Sequence, residues 1–253
     1  MDVLKIKRPC LLFIILGFII FVLIYATQIR DGLKSRGILT LTFDDGLKSQ
    51  YEIAFKEMQK YNYKGTLFLL ANWSGLFEGR ELMNFSNAKE MQDCGWEIGS
   101  HTLDHKNLPD LQKEKIKEEL EKSKEILSDE GFKINTLSFP FGSYSEEVIK
   151  ETKKYYLASR TMKNGYNSIQ HPNFYELKSK AVMKKHSSKE VCSWIKEANR
   201  KGLWLILIFH NIGIEQTPWD CSEQKFKDIL ECIKNEGIVI KTIKEVLENE
   251  KRN

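Results

Sequence analysis

The chain has 253 residues, of which 42% are hydrophobic and 29% are charged, as expected for one large globular domain or two small ones. Residues 1–37 hold six of the 39 lysines and arginines and two of the 35 acidic residues, so the remainder carries 33 charges of each sign. Because the folded part is neutral overall, nothing in the charge pattern indicates nucleic-acid binding.

The N-terminal segment has the composition of a membrane-inserted helix. Residues 1–9 are basic, and residues 10–26 form a run of 17 without a charge. As a helix this run spans about 26 Å, the short end of a bilayer core. No small-residue cleavage pattern follows it, which favours an uncleaved transmembrane anchor over a cleaved signal segment. Both alternatives place the following domain outside the cytoplasm, after a polar linker at residues 27–37.

From residue 38 onward, strand-like and helix-like segments alternate, which predicts a single α/β domain over residues 38–253 with a parallel sheet. The predicted strands cover residues 38–43, 64–71, 96–100, 134–139, 155–159, 175–183, 203–209 and 238–241. The predicted helices cover residues 48–60, 87–94, 110–130, 144–154, 188–201, 222–235 and 242–249. About eight such units favour a closed (β/α) barrel over an open sheet.

The predicted helix that contains Glu118 and Glu119 is long and rich in lysine and glutamate, which is typical of a solvated outer face. The five cysteines have neither CxxC spacing nor the density of a disulfide framework. Three of them, Cys192, Cys221 and Cys232, allow one disulfide without requiring it.

Two adjacent acidic residues, Asp44 and Asp45, directly follow the first predicted strand, and Gly46 opens the turn after them. Neighbouring strand residues normally face opposite ways, but a glycine turn lets both carboxylates converge on one pocket. Two carboxylates in one pocket repel each other unless a cation or a proton lies between them. The pair therefore suggests a metal site, although in isolation it also fits a polar turn.

Three histidines follow predicted strands at the same end. His101 and His105 come after the third strand, and His210 comes directly after the seventh. The carboxyl ends of barrel strands share one rim, so these imidazoles are expected near Asp44 and Asp45. One carboxylate with two imidazoles leaves coordination positions open, as in catalytic zinc sites. Isolated pairs of this kind are often plain loop residues, but their combination on one rim favours a functional site.

The motifs resemble those of the polysaccharide deacetylase family, also called the NodB homology domain or carbohydrate esterase family 4. The matching segments are residues 42–46, 101–105, 139–142 and 207–210, and the resemblance spans roughly residues 37–248. It implies a distorted (β/α) barrel of seven to eight strands. It also implies a hydrolase that uses Zn²⁺, or another divalent transition metal such as Co²⁺, Ni²⁺ or Mn²⁺, to remove acetyl groups from sugars.

The resemblance assigns a role to each matching polar residue. Asp44 would be the catalytic base, and three residues would bind the metal: Asp45, His101 and His105. His210 would be the general acid that protonates the leaving amine. The sequence does not identify a carboxylate partner for His210.

The resemblance also implies parts of the substrate pocket. The N–H of Phe141 would help to hold the oxyanion, and Ile208 would line the acetyl pocket unless it is plain barrel core. Many family members carry an arginine that steadies the base, two residues before the proline of the third motif, where this chain has Ser138. Arg160, after the fifth predicted strand, is a candidate for that role, with a surface arginine as the alternative.

These interpretations predict a membrane-anchored, extracytoplasmic deacetylase of a cell-wall or extracellular glycan that contains N-acetylglucosamine. Two alternatives remain open. The same metal site would also suit an O-acetyl ester or a cyclic amide, and a non-catalytic surface protein could bind glycan without turnover. The presence of the complete set of polar residues argues against the second alternative, because a binder needs none of them.

Overall fold

A computed structural model describes residues 37–72, 75–213 and 215–250. In this part of the chain there are ten strands: β1 (Ile38–Phe43), β2 (Thr66–Leu69), β3 (Leu76–Phe77), β4 (Arg80–Glu81), β5 (Glu97–Ser100), β6 (Thr136–Ser138), β7 (Ala158–Asn164), β8 (Leu177–Ala181), β9 (Trp204–Phe209) and β10 (Val239–Ile240). Seven of them, β1, β2 and β5 to β9, are parallel neighbours, and the pairing of β9 with β1 closes them into a barrel. The short β10 pairs with the start of β1. The predicted (β/α) barrel is confirmed.

The helices are α1 (Lys56–Gln59), which continues a π-helical segment at Gln50–Phe55, α2 (Phe85–Asp93), α3 (Lys113–Asp129), α4 (Glu146–Thr152), α5 (Ser188–Lys201), α6 (Glu223–Glu236) and α7 (Ile243–Glu250). Three of them begin after a serine whose hydroxyl accepts an N–H of the first turn: Ser145, Ser187 and Ser222. α5 and α6 end at Gly202 and Gly237 in the left-handed conformation. These local signals explain why the predicted bounds of α5 and α6 agree with the structure to within one residue, whereas α4 is two residues shorter at each end than predicted.

The barrel strands separate two apolar layers. On β1, the side chains of Leu39, Leu41 and Phe43 belong to the large core under the helices. The intervening Thr40 and Thr42 face the barrel interior, where the Oγ1 of Thr40 accepts a hydrogen bond of 2.9 Å from the indole of a buried tryptophan, Trp204. The alternation of a strand therefore directs the next residue of the inward series, position 44, towards the barrel axis.

The amino-terminal end of the barrel is closed by α7 and a buried carboxylate. Glu97 accepts hydrogen bonds from the hydroxyls of Thr66 (2.9 Å) and Thr136 (2.7 Å) and from the N–H of Lys244 (2.9 Å) in the first turn of α7. Three donors satisfy this acid, which explains how it is tolerated in the interior. It holds the last helix against the barrel at the end away from the predicted site.

Two features differ from the sequence-based prediction. The antiparallel hairpin of β3 and β4 was missed, because each of its strands has only two residues. β7 was predicted to end at Ser159 but continues to Asn164, so Arg160 lies within the strand rather than after it. The predicted membrane segment at residues 10–26 lies outside the described residues. Within them, no helix combines the length and the apolar character needed to cross a bilayer.

A disulfide joins two of the helices on the outside of the barrel. Cys192 of α5 and Cys232 of α6 are bonded across a sequence separation of 40 residues. Cys221 is buried with a free thiol, and Cys94 is exposed. The structure thus selects one pair among the three that the sequence allowed.

We expect this disulfide to stabilise the fold by about 2–4 kcal/mol, because it closes a long loop in the unfolded chain. Replacement of both Cys192 and Cys232 by serine should lower the free energy of unfolding in urea by this amount. Cys94→Ser is the matched control and should change it by less than about 0.5 kcal/mol. A double variant as stable as the oxidised protein would contradict the expectation.

Candidate active site and metal centre

The turn after β1 brings two neighbouring carboxylates into one cavity. Asp44 continues the inward series of the strand, and its N–H is held by the carbonyl of Phe209 at 3.0 Å. Asp45 and Gly46 then both adopt positive φ angles, 73° and 74°. This left-handed turn redirects Asp45 towards the same side as Asp44, so the two side chains do not alternate as they would in a strand. Both carboxylates are buried.

Asp45, His101 and His105 form a set that could hold one metal ion, since one ligand atom from each lies within 4.8 Å of the others. The Oδ1 atom of Asp45 is 3.5 Å from Nε2 of His101 and 3.8 Å from Nε2 of His105. This Oδ1 atom is buried and has no hydrogen-bond partner. An acceptor oriented towards two imidazole nitrogens is the arrangement that a shared cation would satisfy.

The tautomer of His101 suits a metal ligand. Its Nδ1 lies 2.8 Å from the backbone carbonyl of Ser138. A carbonyl only accepts, so Nδ1 carries the proton and the lone pair of Nε2 faces the cavity. A hydrogen bond of this kind also fixes the orientation of the ring.

Left-handed backbone is concentrated around the cavity. Five non-glycine residues with positive φ lie in the loops that form it, namely Asp45, Glu78, Thr102, His105 and Phe141. Among the described residues, only Asn62 has this conformation elsewhere. Each such residue costs free energy, of order 1 kcal/mol, and requires support from its surroundings. The site is therefore built from loops held in conformations that their sequence does not favour.

Burial sets the protonation of the proposed ligands. It lowers the pKa of His101 to about 4 and, together with the charge of His101, that of His105 to about 3. Both imidazoles are therefore neutral at neutral pH, the form that binds metals. Burial, followed by the charge of Asp44, raises the pKa of Asp45 to about 7. A neighbouring cation would stabilise the ionised form of this carboxyl group and lower its pKa.

The charge balance in and beside the cavity agrees with a dication. Four carboxylates face two guanidinium groups there: Asp44, Asp45, Glu78 and Asp220 against Arg80 and Arg160. With the histidines neutral and Asp45 deprotonated, as a metal ligand must be, this set has a net charge of −2, which one divalent ion would balance. The buried carboxylates, the free Oδ1 atom and the nitrogen donors therefore fit a divalent transition metal such as Zn²⁺.

Asp44 is ionised and held by an arginine. Its Oδ2 accepts a short hydrogen bond from Nη2 of Arg160, which is fully buried and also contacts the hydroxyl of Ser138. Burial acts to raise the pKa of Asp44, but the charge and hydrogen bond of Arg160, with the nearby imidazoles, outweigh it and lower the pKa. Arg160 thus lies within the barrel and contacts both Asp44 and Ser138, and the steadying role proposed for it stays a prediction.

His210 lies beside the same oxygen of Asp44 that His101 approaches. Its Nε2 is 4.0 Å from Oδ2 of Asp44, and burial lowers its pKa to about 4. Gln50 donates from one amide nitrogen to the carbonyls of both Asp44 and His210, which fixes the two loops relative to each other. Sequence reasoning missed Gln50, because a glutamine in a helical segment carries no signal of this kind. Trp219 packs beside His210 with a ring-centroid distance of 5.6 Å.

The two residues predicted to contact substrate occupy different positions. Phe141 is 59% exposed at the cavity mouth, and its ring contacts that of His105 at a centroid distance of 4.7 Å. Ile208 is fully buried on β9, on the same face of the strand as His210, and is not among the residues that line the cavity. The role predicted for each residue stays a prediction.

The missed hairpin contributes one wall of the cavity. Phe77, Glu78 and Arg80 line it, and the hairpin is tied to the first motif by a hydrogen bond of 2.9 Å from the N–H of Met83 to the carbonyl of Gly46. Arg80 lies 3.9 Å from Asp45 and 3.9 Å from Asp220. The turn residues Glu78 and Gly79 both have positive φ, as in the tight turns that close hairpins. This glycine turn was the only feature of the sequence that could have indicated the hairpin.

The comparisons with known proteins agree with this geometry. A sequence model of the polysaccharide deacetylase family matches residues 32–159 of this chain. A peptidoglycan-N-acetylglucosamine deacetylase of Bacillus cereus is 28% identical over 123 residues, which cover 47% of this chain and 42% of that protein. A poly-beta-1,6-N-acetyl-D-glucosamine N-deacetylase of Staphylococcus epidermidis is 29% identical over 126 residues, which cover 45% of this chain and 44% of that protein.

Among solved structures, the Xyl-CE4 domain of a multidomain xylanase from the hindgut metagenome of Trinervitermes trinervoides has the same fold. Its TM-score is 0.61 at 18% identity, over 85% of this chain and 92% of that one. Fold and site together define a (β/α) barrel with a candidate Asp-His-His metal centre. The family match covers just over half of the chain, which therefore belongs to the polysaccharide deacetylase family. The chain spans less than half the length of the curated relatives it matches.

We expect metal affinity to fall as the pH falls below about 7, because Asp45 must lose its proton before it can bind. The dissociation constant of Zn²⁺ should rise about tenfold per pH unit below that value. Competition with a chromophoric chelator over a range of pH measures this dependence. His171→Ala removes an exposed histidine and should leave the affinity unchanged.

The stability of the protein gives a second measurement of the same effect. The raised pKa of Asp45 contributes stability to the metal-free fold below its unfolded value of 3.8, and this contribution is lost as the pH rises through about 7. Added Zn²⁺ should therefore raise the melting temperature more on the alkaline side of pH 7 than on the acidic side. An affinity that does not vary with pH would contradict the assignment of Asp45 as a ligand.

Proposed function

We propose that the chain is a metal-dependent hydrolase that removes N-acetyl groups from a cell-wall or extracellular glycan containing N-acetylglucosamine, with release of acetate. The observation that carries this proposal is the placement of a free carboxylate, Asp44, beside a set of three residues able to bind one metal ion. The names of the Bacillus cereus and Staphylococcus epidermidis relatives support the choice of an N-acetylated glycan as substrate.

In this proposal the metal is held by Asp45, His101 and His105. A divalent transition metal bound there would polarise the acetamide carbonyl and lower the pKa of a bound water. The two carboxylates of the first motif then have different functions. Asp45 is a ligand, and Asp44 stays free to accept a proton because Arg160 keeps it ionised.

His210 is the proposed general acid. Because burial lowers its pKa to about 4, its imidazole is neutral before the reaction starts and must first gain a proton. Asp44, 4.0 Å away, is the nearest carboxyl group and receives a proton from the attacking water. Transfer of that proton through His210 to the sugar nitrogen allows the amine to leave, and the acetyl carbon keeps the oxygen of the water.

Two residues complete the proposed substrate pocket. The N–H of Phe141, in a left-handed turn at the cavity mouth, would donate to the oxyanion. Ile208, on the inward face of β9 below His210, would pack against the acetyl methyl.

We also propose that the domain works outside the cytoplasm, attached to a membrane through residues 10–26. The apolar composition of that segment motivates this location. The disulfide between Cys192 and Cys232 supports an oxidising compartment.

Incubation of the purified full-length chain with N-acetylglucosamine oligomers and Zn²⁺ tests the proposed function, and we expect release of acetate. A chelator or His101→Ala should abolish it, whereas His171→Ala should not. O-acetylated xylan and small cyclic imides, assayed in parallel, distinguish the two alternative substrates. A metal-loaded protein that releases acetate from no N-acetylated glycan would contradict the proposal.

Replacement of Arg160 by glutamine tests how Asp44 is kept ionised. Loss of the guanidinium, whose charge and hydrogen bond lower the pKa of Asp44, should raise that pKa. Because catalysis needs the ionised carboxylate, the acidic limb of the profile of kcat/KM against pH should move to higher pH by the same amount. Arg200→Gln, at an exposed position of α5, is the matched control. An unchanged acidic limb would show that Arg160 does not set this pKa.

A further inference from the structure

The loop between the two histidine ligands of the proposed metal centre has an unusual mode of support. Residues 101–105 contain two left-handed residues, Thr102 (φ 70°) and His105 (φ 55°), and lie outside any helix or strand. A β-branched residue such as Thr102 is strongly disfavoured in this conformation. The hydrogen bonds of the loop must therefore hold it in place.

Each backbone N–H of this loop has an identified acceptor. Those of His101, Thr102 and His105 are bonded to groups of the barrel or of the loop itself: the carbonyl of Leu69, the hydroxyl of Ser100 and the hydroxyl of Thr102. The two N–H groups midway between the histidines, those of Leu103 and Asp104, are not satisfied in this way.

Both of these central N–H groups donate to a single carboxylate oxygen from a different element. Oε2 of Glu119, in the middle of α3, lies 3.1 Å from the N of Leu103 and 3.0 Å from the N of Asp104. The side chain of Glu119 is only 3% exposed, and its other oxygen lies 3.1 Å from Nζ of Lys106. In α3, which was predicted to have a solvated outer face, Glu119 is thus buried and contacts the loop.

A second residue of the same helix face supports this arrangement. Ser123, one turn after Glu119, is fully buried, and its hydroxyl lies 3.1 Å from that of Ser100. The hydroxyl of Ser100 in turn accepts from the N–H of Thr102. α3 therefore contacts residues 100–104 through two buried polar side chains, those of Glu119 and Ser123.

We propose that Glu119 is a positioning residue of the metal centre: by binding the two N–H groups between His101 and His105, its carboxylate fixes the separation of the two imidazoles. The inference rests on the proposed metal-binding function. Glu119 is not among the residues that line the cavity, so its effect on the two imidazoles passes through the loop that it holds.

Two conservative variants separate positioning from charge. Glu119→Gln keeps an acceptor oxygen at the same reach and loses the negative charge. Glu119→Asp keeps the charge but withdraws the oxygen by one methylene, which breaks both hydrogen bonds. If Glu119 positions the loop, Glu119→Gln should bind Zn²⁺ within about threefold of the unchanged protein, and Glu119→Asp should bind it about tenfold or more weakly. A purely electrostatic role predicts the reverse order.

The experiment measures the dissociation constant of Zn²⁺ for the full-length chain by competition with a chromophoric chelator. The visible absorption of the Co²⁺-loaded protein reports ligand geometry and should change for Glu119→Asp but not for Glu119→Gln. Glu118→Asp, at the neighbouring, partly exposed position outside the loop contacts, is the matched control and should change neither measurement.

Equal affinities for the two Glu119 variants, or a weaker affinity for the glutamine variant, would overturn the inference. If the unchanged protein does not bind Zn²⁺, the proposed function fails instead, so the two failures are distinguishable. Acetate release is not part of the measurement.

Discussion

The repulsion between two buried carboxylates is the constraint on which the rest of this site depends. Asp44 and Asp45 are adjacent in sequence and face one cavity, where neither is solvated. Desolvation alone would drive both to the neutral acid. The structure treats them differently, since a buried arginine holds Asp44 and lowers its pKa, whereas burial and the charge of Asp44 raise that of Asp45 to about 7. Environments that separate the pKa values of two like groups assign them different chemistry, and here they leave Asp45 as the group that gains most from a cation.

The arginine that contacts Asp44 comes from the strand next to the one that carries Ser138. The guanidinium of Arg160 comes from β7 and reaches Asp44 past the hydroxyl of Ser138, its paired neighbour on β6. Ser138 has a small side chain, and its hydroxyl contacts the guanidinium beside Asp44. The ionisation of Asp44 depends on which groups lie near it in space. The absence of an arginine from one motif position therefore does not show that no arginine contacts Asp44.

Sequence reasoning predicted most of the barrel because local signals and burial agree there. The alternation of β1 and the serine and glycine caps of α5 and α6 each act over a few residues. The hairpin of β3 and β4 was not predicted, because strands of two residues have no hydrophobic periodicity. The role of Glu119 was not predicted for a different reason. Its helix is rich in lysine and glutamate, and composition does not reveal which glutamate is buried and accepts hydrogen bonds from the loop.

The buried acids at the two ends of the barrel differ in how completely hydrogen bonds satisfy their oxygen atoms. At the amino-terminal end, Glu97 accepts three hydrogen bonds and joins α7 to the strands. At the opposite end, Asp44 and Asp45 each keep one buried oxygen without a hydrogen-bond partner. A buried polar atom without a hydrogen-bond partner costs free energy, which a bound cation would offset at this end of the barrel. The Oδ1 atom of Asp45 also faces two imidazole nitrogens, and this combination of an unsatisfied acceptor with two nitrogen donors is what fits a shared cation.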